Sequence, residues 1–186
     1  MKRSVSNPLR PLAALLLGLS AMFAAPARAH QDDTLCALPP DMPVRDTQVR
    51  TLDGKPLLLP GTAPTLVLFW SVFNPIPLPA LAQASQQLAT SYAGRLKVVG
   101  VNLDSRALVS HLDQKVRAKA HDLGMSFPQA MDPLRYSRDA FSLRKTPGAI
   151  LVSGGRVVGV FSFDHAQDGV LLDALVRKTL ETRSKR

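Results

Sequence analysis

The sequence of 186 residues is poor in cysteine, in aromatic residues and in acidic residues. Its single cysteine excludes a disulfide framework and any cysteine-rich zinc or iron–sulfur site. Acidic side chains number 14 against 23 lysines and arginines, which gives a formal net charge of +9. Hydrophobic residues nevertheless make up 46% of the chain, enough for the core of one globular domain, and this excludes a disordered or coiled-coil protein.

The first 29 residues have the pattern of a secretory signal, which accounts for part of the positive charge. Three basic residues precede an apolar run over 12–25, and Ala27 and Ala29 supply the small side chains that a signal peptidase requires. The run is shorter than the roughly 20 residues of a membrane-spanning helix, although retention of the segment as an anchor stays open. We predict cleavage after Ala29 and a periplasmic or secreted protein without a stable membrane span. The modest charge that remains argues against nucleic acid as a partner.

Cys36 lies near the start of the predicted mature chain and has no partner cysteine within it. Because disulfides persist in exported proteins, one interpretation is an intermolecular disulfide and a second is a reactive thiol. The third interpretation, which we favour, is a small hydrophobic side chain buried under the domain. A lipoprotein acceptor is excluded because Leu35 stands directly before it, where a small residue is required.

Hydrophobic patterning predicts one domain over 47–186, preceded by a proline-containing leader over 30–46 that we expect to run extended along the surface. A hairpin is predicted over 47–59, with its turn at Asp53-Gly54. The further predicted elements are strands at 65–72 and 96–103, a helix from 78 to 92, a helix that begins at Asp104-Ser105 with Leu108 on its inner face, a hairpin of 149–152 with 156–161, and a final helix through 171–180. This order predicts an α/β domain with a central mixed β-sheet flanked by helices.

The order of these elements and several short motifs resemble the TlpA/ResA-like branch of the exported thioredoxin-fold proteins, or redoxins. The motifs are Asp53-Gly54-Lys55, Leu68-Phe69-Trp70-Ser71, Val99-Gly100-Val101-Asn102-Leu103-Asp104, Phe127-Pro128 with Asp132, and Thr146-Pro147. The resemblance runs from about residue 47 to the C-terminus and implies a thioredoxin-like fold with an N-terminal β-hairpin extension. It also implies that the peptide bond between Thr146 and Pro147 is cis.

The sequence departs from this family where the family has its active site. Members carry a Cys-Pro-Pro-Cys motif at the start of the first core helix, but here Asn74 stands at the nucleophilic cysteine and Pro77 at the resolving one. The glutamate that the family has three residues later is Ala80. Because disulfide exchange needs a thiolate and a second thiol, we predict a degenerate site without catalytic residues. Asn74 would suit the N-cap of the helix, unless the helix begins near Leu78.

The resemblance further implies a peptide-binding surface beside this degenerate site. We expect it to contain Trp70, Phe73, Ile76, Thr146 and Pro147. In the family, the residue before the proline binds an extended peptide through its backbone, so Thr146 would offer both of its backbone groups. The opposing interpretation, in which Trp70 and Phe73 pack against the sheet, stays open for each ring.

We therefore expect an exported thioredoxin-like protein, without dithiol chemistry and without a cofactor, that binds another exported protein or peptide. The resemblance implies an accessory role in periplasmic redox, copper or cytochrome assembly. The alternative is a thiol–disulfide oxidoreductase that works through Cys36. A further alternative is a copper-binding protein that uses the amine and imidazole of His30 at the new N-terminus, but no second histidine supports this site and we predict no bound metal.

Overall fold

Strands and helices alternate along the chain in the computed structural model, which describes residues 35–74, 78–132 and 134–184. The strands are β1 (Thr47–Thr51), β2 (Pro56–Leu59), β3 (Thr65–Trp70), β4 (Lys97–Asn102), β5 (Gln129–Met131), β6 (Gly148–Ser153) and β7 (Arg156–Phe161). The helices are α1 (Leu78–Ser91), α2 (Leu112–Asp122), α3 (Tyr136–Ala140) and α4 (Asp168–Ser184). The short elements β5 and α3 are absent from the sequence-based prediction.

Several predictions fall on residues outside these ranges. The signal pattern, the cleavage site after Ala29 and the proposed copper ligand His30 lie outside them, as do Ile76 and Pro77. Within the described ranges, no helix has the length and apolar character that crossing a bilayer requires. The same ranges hold no group of three or more histidine, cysteine, aspartate or glutamate side chains placed to share a metal ion.

All seven strands form one mixed sheet in the order β2-β1-β5-β4-β3-β6-β7. Strand β3 is parallel to β4, and β4 is parallel to β5, whereas β6 is antiparallel to β3. The predicted hairpin β1–β2 extends the sheet through antiparallel pairing of β1 with β5. The predicted fold class, an α/β domain with a central mixed sheet and an N-terminal hairpin, is therefore confirmed.

Strand β3 separates two hydrophobic layers by alternating its side chains between them. Leu66, Leu68 and Trp70 belong to the layer that α1, α2 and α4 cover. Val67 and Phe69 belong to the layer on the opposite face. Because both faces are covered, every residue of β3 is buried, and this explains the unbroken apolar run in the sequence.

The leader, of which residues 35–46 are described, completes the second layer. Leu35, Cys36 and Val44 are buried there. Two backbone hydrogen bonds of 2.8 and 3.0 Å join positions 41 and 42 to Val157, so the leader also covers part of the edge strand β7. The prediction that the leader runs along the surface is wrong for this segment, because its apolar side chains form part of the core.

Leu35 lies directly against Gly148, the residue that follows Pro147. A Cβ atom at Gly148 would stand 2.3 Å from both Cδ atoms of Leu35. Glycine is therefore required at this position by the close approach of the leader. The contact fixes the leader beside the loop that contains Thr146 and Pro147.

Helix α2 begins at Leu112, later than the predicted cap at Asp104-Ser105. The preceding residue, His111, has a φ of 52°, in the left-handed region that interrupts a right-handed helix. Leu108, predicted to face the core, is 82% exposed. The predicted helix start at Asp104-Ser105 is wrong, because the Asp104 carboxylate accepts hydrogen bonds from Ser71 and Val72 and does not cap a helix.

Candidate functional site

Four segments meet at one edge of the sheet because of the directions of the strands. Strands β3, β4 and β5 run parallel, so the segments 71–74, 103–111 and 134–136 lie at or near their common carboxyl ends. Strand β6 runs antiparallel to β3, so the segment 142–147 before it reaches the same place. We call this region the carboxyl edge.

Asn74 fastens the loop after β3 to Thr146. Its Oδ1 atom accepts a hydrogen bond of 2.6 Å from the backbone N–H of Ser71. Its Nδ2 atom donates to the carbonyl oxygen and to Oγ1 of Thr146, at 3.3 and 3.4 Å. The described part of α1 begins at Leu78. Both the predicted N-cap at Asn74 and the alternative start near Leu78 depend on residues 75–77, which lie outside the described ranges.

Asp104 holds the same loop from the end of β4. Its carboxylate accepts hydrogen bonds from Ser71 Oγ at 2.6 Å, from the backbone N–H of Val72 at 2.8 Å and from Asn102 Nδ2 at 2.9 Å. Charge-assisted bonds of this kind are among the strong ones in proteins. Sequence reasoning took Asp104 for a helix cap and missed it as a site residue, although an acidic residue directly after a parallel strand is the signal that marks it.

Trp70 and Pro147 do not form the predicted surface, because both are buried. The Nε1–H group of Trp70 donates to Oε1 of Gln129 at 3.2 Å, so the one polar atom of the indole is bound inside the protein. The placement of Trp70 and Pro147 on a binding surface is therefore wrong, and packing against the sheet is the correct interpretation for Trp70.

Phe73 and Thr146 are the predicted surface residues that do reach solvent. Phe73 is 69% exposed, Thr146 is half-buried, and the peptide bond between Thr146 and Pro147 is cis. The Thr146 carbonyl accepts the Asn74 bond, so the prediction that both backbone groups are open to a peptide is wrong for this oxygen. The N–H of Thr146 has no hydrogen-bond partner among the residues that the structure describes.

The thiol of Cys36 is fully buried under the leader. Its Sγ atom donates to the carbonyl oxygen of Phe141 at 3.0 Å and accepts from the backbone N–H of Leu38 at 3.3 Å. Burial raises the pKa of the Cys36 thiol, and this outweighs the opposing effects of the Leu38 hydrogen bond and the charge of Arg144. Since the thiolate is the nucleophile, both burial and the raised pKa oppose reaction. This placement favours a small buried side chain over a reactive or bridged thiol.

We expect Cys36 of the native mature protein to resist a thiol reagent at pH 8 and to react fully in denaturant. Modification should follow opening of the fold, because the leader must leave the sheet before the thiol is accessible. The variant Phe73→Cys provides the control, with one thiol that reacts in the native state and two after denaturation. Rapid modification of the native wild type, measured by mass spectrometry, would contradict the burial of Cys36.

A groove of about 250 Å³ adjoins Thr146 at the carboxyl edge. Four cationic side chains line it, beside Ser71, Leu103, Asp104, Leu143 and Thr146: Arg135, Arg138, Arg144 and Lys145. Arg138 Nε donates to the carbonyl oxygen of Leu143 at 3.3 Å, and Lys145 Nζ lies 2.9 Å from the Asp164 carboxylate. We call this feature the basic groove. Its cationic lining is not part of the sequence-based prediction.

Comparison with known proteins relates the chain to others by its fold. No protein-family model and no curated protein matches the sequence. Similar solved structures include a hypothetical protein from Sinorhizobium meliloti 1021, at 23% identity and a TM-score of 0.67, over 78% of this chain and 86% of that chain. A Chlorobium tepidum protein assigned as the thiol:disulfide interchange protein DsbE has 18% identity and a TM-score of 0.66, over 77% and 99%. A secreted disulfide oxidoreductase from Mycobacterium tuberculosis has 15% identity and a TM-score of 0.58, over 71% and 95%. The chain therefore has a thioredoxin-like fold.

Proposed function

We propose that this protein is exported and binds another exported polypeptide at its carboxyl edge without exchanging disulfides. The proposal of export rests on the signal pattern that ends at Ala29. An accessory role in periplasmic redox, copper or cytochrome assembly is the setting that the resemblance to TlpA/ResA-like proteins implies. Several structures with the same fold are named as disulfide interchange proteins or oxidoreductases, and these act through the sulfur chemistry that this chain lacks at position 74.

The observation that carries the proposal is the side chain of Asn74. An amide nitrogen cannot attack a disulfide sulfur and form the mixed disulfide through which exchange proceeds. The same amide nevertheless joins the loop after β3 to Thr146. The two loops that would grip a substrate are thus held together, while the atom that would react with it is missing. Binding without chemistry is the function that this arrangement supports.

Thr146 and Phe73 supply the contacts that an extended peptide needs. The N–H of Thr146 is available as a backbone donor, and main-chain bonds of this kind give affinity in strand-like recognition. The contacts from Asn74 Nδ2 to Thr146, of 3.3 and 3.4 Å, occupy the carbonyl oxygen and leave the N–H as the backbone group that faces a peptide. The exposed ring of Phe73 adds an apolar surface beside them.

A photo-crosslinking residue at position 73 should trap the partner from the exported fraction. The same residue at Val170 on α4, which is 73% exposed, is the control and should not trap it. With the partner in hand, Phe73→Ser should weaken binding about tenfold, because an exposed aromatic ring at an interface is a frequent hot spot. Titration calorimetry measures the affinity, and an unchanged melting temperature shows that the fold is intact.

The outcome that would contradict this function is disulfide reduction by the protein itself. The purified mature protein should not accelerate the reduction of insulin by dithiothreitol above the uncatalysed rate. Activity that disappears in Cys36→Ser would establish the oxidoreductase alternative instead. Equal trapping at positions 73 and 170, or unchanged affinity of Phe73→Ser, would show that the carboxyl edge is not the binding surface.

A further inference from the structure

Exposed hydrophobic side chains concentrate at the carboxyl edge. Of the eight large hydrophobic residues that are exposed in the described part of the chain, four lie in the segments after β3, β4 and β5: Phe73, Leu108, Leu134 and Tyr136. Isolated exposed hydrophobic residues are normal on a protein surface. Four of them in segments that the sheet topology brings to one edge indicate an interaction surface.

The basic groove gives this surface a charge. The Arg135 guanidinium has no ion pair and no hydrogen bond to any part of the chain that the structure describes. Arg138 Nε binds the carbonyl oxygen of Leu143. The one carboxylate in the lining is Asp104, whose oxygens accept hydrogen bonds from three neutral donors and whose single negative charge stands against four cationic side chains. The groove therefore presents a net positive charge next to Thr146.

A buried carboxylate fixes the backbone around Arg135, which directly precedes α3, and Arg138, which lies within it. Asp132 is 3% exposed, and it accepts hydrogen bonds from the backbone N–H groups of Tyr136 at 3.0 Å and Ser137 at 2.7 Å. These bonds fix the backbone that carries Arg135 and Arg138. A surface whose charged groups are held in advance loses less conformational entropy when a ligand binds.

From these contacts we infer that the partner segment is acidic, a conclusion that rests on the binding function proposed above. Its carboxylates enter the basic groove, its neighbouring backbone binds at the N–H of Thr146, and its apolar side chains contact the exposed rings of the carboxyl edge. Thr146 and Ser71 line the groove, so charge recognition and backbone recognition take place on continuous surface. An extended acidic polypeptide satisfies both, whereas a lipid headgroup or a free anion leaves the backbone donor and the apolar side chains unused.

Fluorescence anisotropy with three labelled octapeptides tests the inference on the mature protein. The probes alternate leucine with glutamate, with glutamine or with lysine. The glutamate peptide should bind at least about tenfold more tightly than the glutamine peptide, and the lysine peptide should bind weakest, because opposite charges attract across an interface. The ratio of the two affinities, glutamate peptide over glutamine peptide, should fall when sodium chloride is raised from 50 to 500 mM, since salt screens exposed charges.

Charge reversal at Arg135 locates the effect. Arg135→Glu should weaken binding of the glutamate peptide about tenfold and leave binding of the glutamine peptide nearly unchanged. The matched control is Arg95→Glu, which reverses an exposed arginine before β4, at the opposite edge of the sheet. Equal binding of the glutamate and glutamine peptides, or an equal loss in both variants, would overturn the acidic specificity and leave the proposed function standing.

Two further outcomes would overturn the proposal in other ways. If none of the octapeptides binds, both the acidic specificity and peptide binding at this edge are wrong. If vesicles of phosphatidylglycerol and phosphatidylcholine bind in an Arg135-dependent manner while the glutamate peptide does not, the groove recognises a membrane surface and the polypeptide partner is wrong.

Discussion

Replacing Gly148 by alanine should lower the free energy of unfolding by about 1–3 kcal/mol, the range that overpacking a well-packed core produces. The new methyl group would stand 2.3 Å from both Cδ atoms and 2.8 Å from Cγ of Leu35, which is fully buried. We therefore expect Leu35 to move and to displace the leader from the sheet. We expect Cys36, the next residue of the leader, to react with a thiol reagent faster in this variant than in the wild type. Urea unfolding and the labelling rate measure the two effects.

Gly169→Ala is the matched control for this substitution. Its new Cβ would meet its nearest neighbour, Phe163, at 3.7 Å, an ordinary contact, and alanine suits a helix better than glycine.

Shortening the Leu35 side chain should make room for the new methyl group at position 148. The double variant Leu35→Ala with Gly148→Ala should therefore lose less stability than the sum of the single losses. Additive losses, or an unchanged labelling rate in Gly148→Ala, would show that the leader does not depend on this contact.

Asp132→Ala should lower the free energy of unfolding by about 2–4 kcal/mol, because it leaves the first backbone N–H groups of α3 and a buried hydroxyl without their acceptor. The lost bonds run from the backbone N–H groups of Tyr136 and Ser137 and from the Ser137 hydroxyl, which is fully buried. Since two arginines of the basic groove lie directly before α3 and within it, Arg135 and Arg138, the same variant should weaken binding of the acidic octapeptide. Chemical denaturation and fluorescence anisotropy measure the two losses.

Asp139→Ala, a substitution within α3, controls for the loss of a negative charge near this helix. Asp139 is exposed, so its removal should change the free energy of unfolding by less than about 0.5 kcal/mol. Because Asp139→Ala removes an acidic side chain near the basic groove, it should not weaken binding of the acidic octapeptide. If Asp132→Ala and Asp139→Ala were equally stable, the buried carboxylate would have no role in fixing α3.

Most of the fold could be predicted from the sequence, because its main elements carry strong local signals. The strand at 65–70 is an unbroken apolar run, and the helices at 78–91 and 168–184 repeat their apolar residues at helical spacing. The resemblance to exported thioredoxin-fold proteins then predicted how these elements are arranged in the sheet. Strand β5 and helix α3 escaped prediction because three and five residues are too few to establish a period.

The missing strand also explains the error at Trp70. Burial of an indole ring requires a partner for its N–H group, and that partner is Gln129, in the three-residue strand β5. A contact between residues 59 positions apart leaves no local trace in the sequence. Without β5, the sequence could not decide whether Trp70 points into the core or lies on the surface.

Asp104 was misplaced for a related reason. An Asp-Ser pair before a stretch with helical spacing is a sound capping signal when judged locally. In the folded chain, Ser71 and Val72 bring competing donors from the loop after β3, and the carboxylate binds those. The absence of sulfur at position 74 was evident from the sequence, but the bond from Asn74 to Thr146 depends on where β6 lies beside β3 and could not be foreseen.

The bridge between Asn74 and Thr146 makes the carboxyl edge indifferent to the oxidation state of its surroundings. A pair of cysteines at such an edge would alternate between a bridged and an open form as the compartment became more oxidising or more reducing, and its shape would change with it. A carboxamide has a single form under both conditions. A segment held at this edge would therefore not be released by small-molecule thiols or oxidants, and its departure would depend on its concentration, on competing partners and on ionic strength.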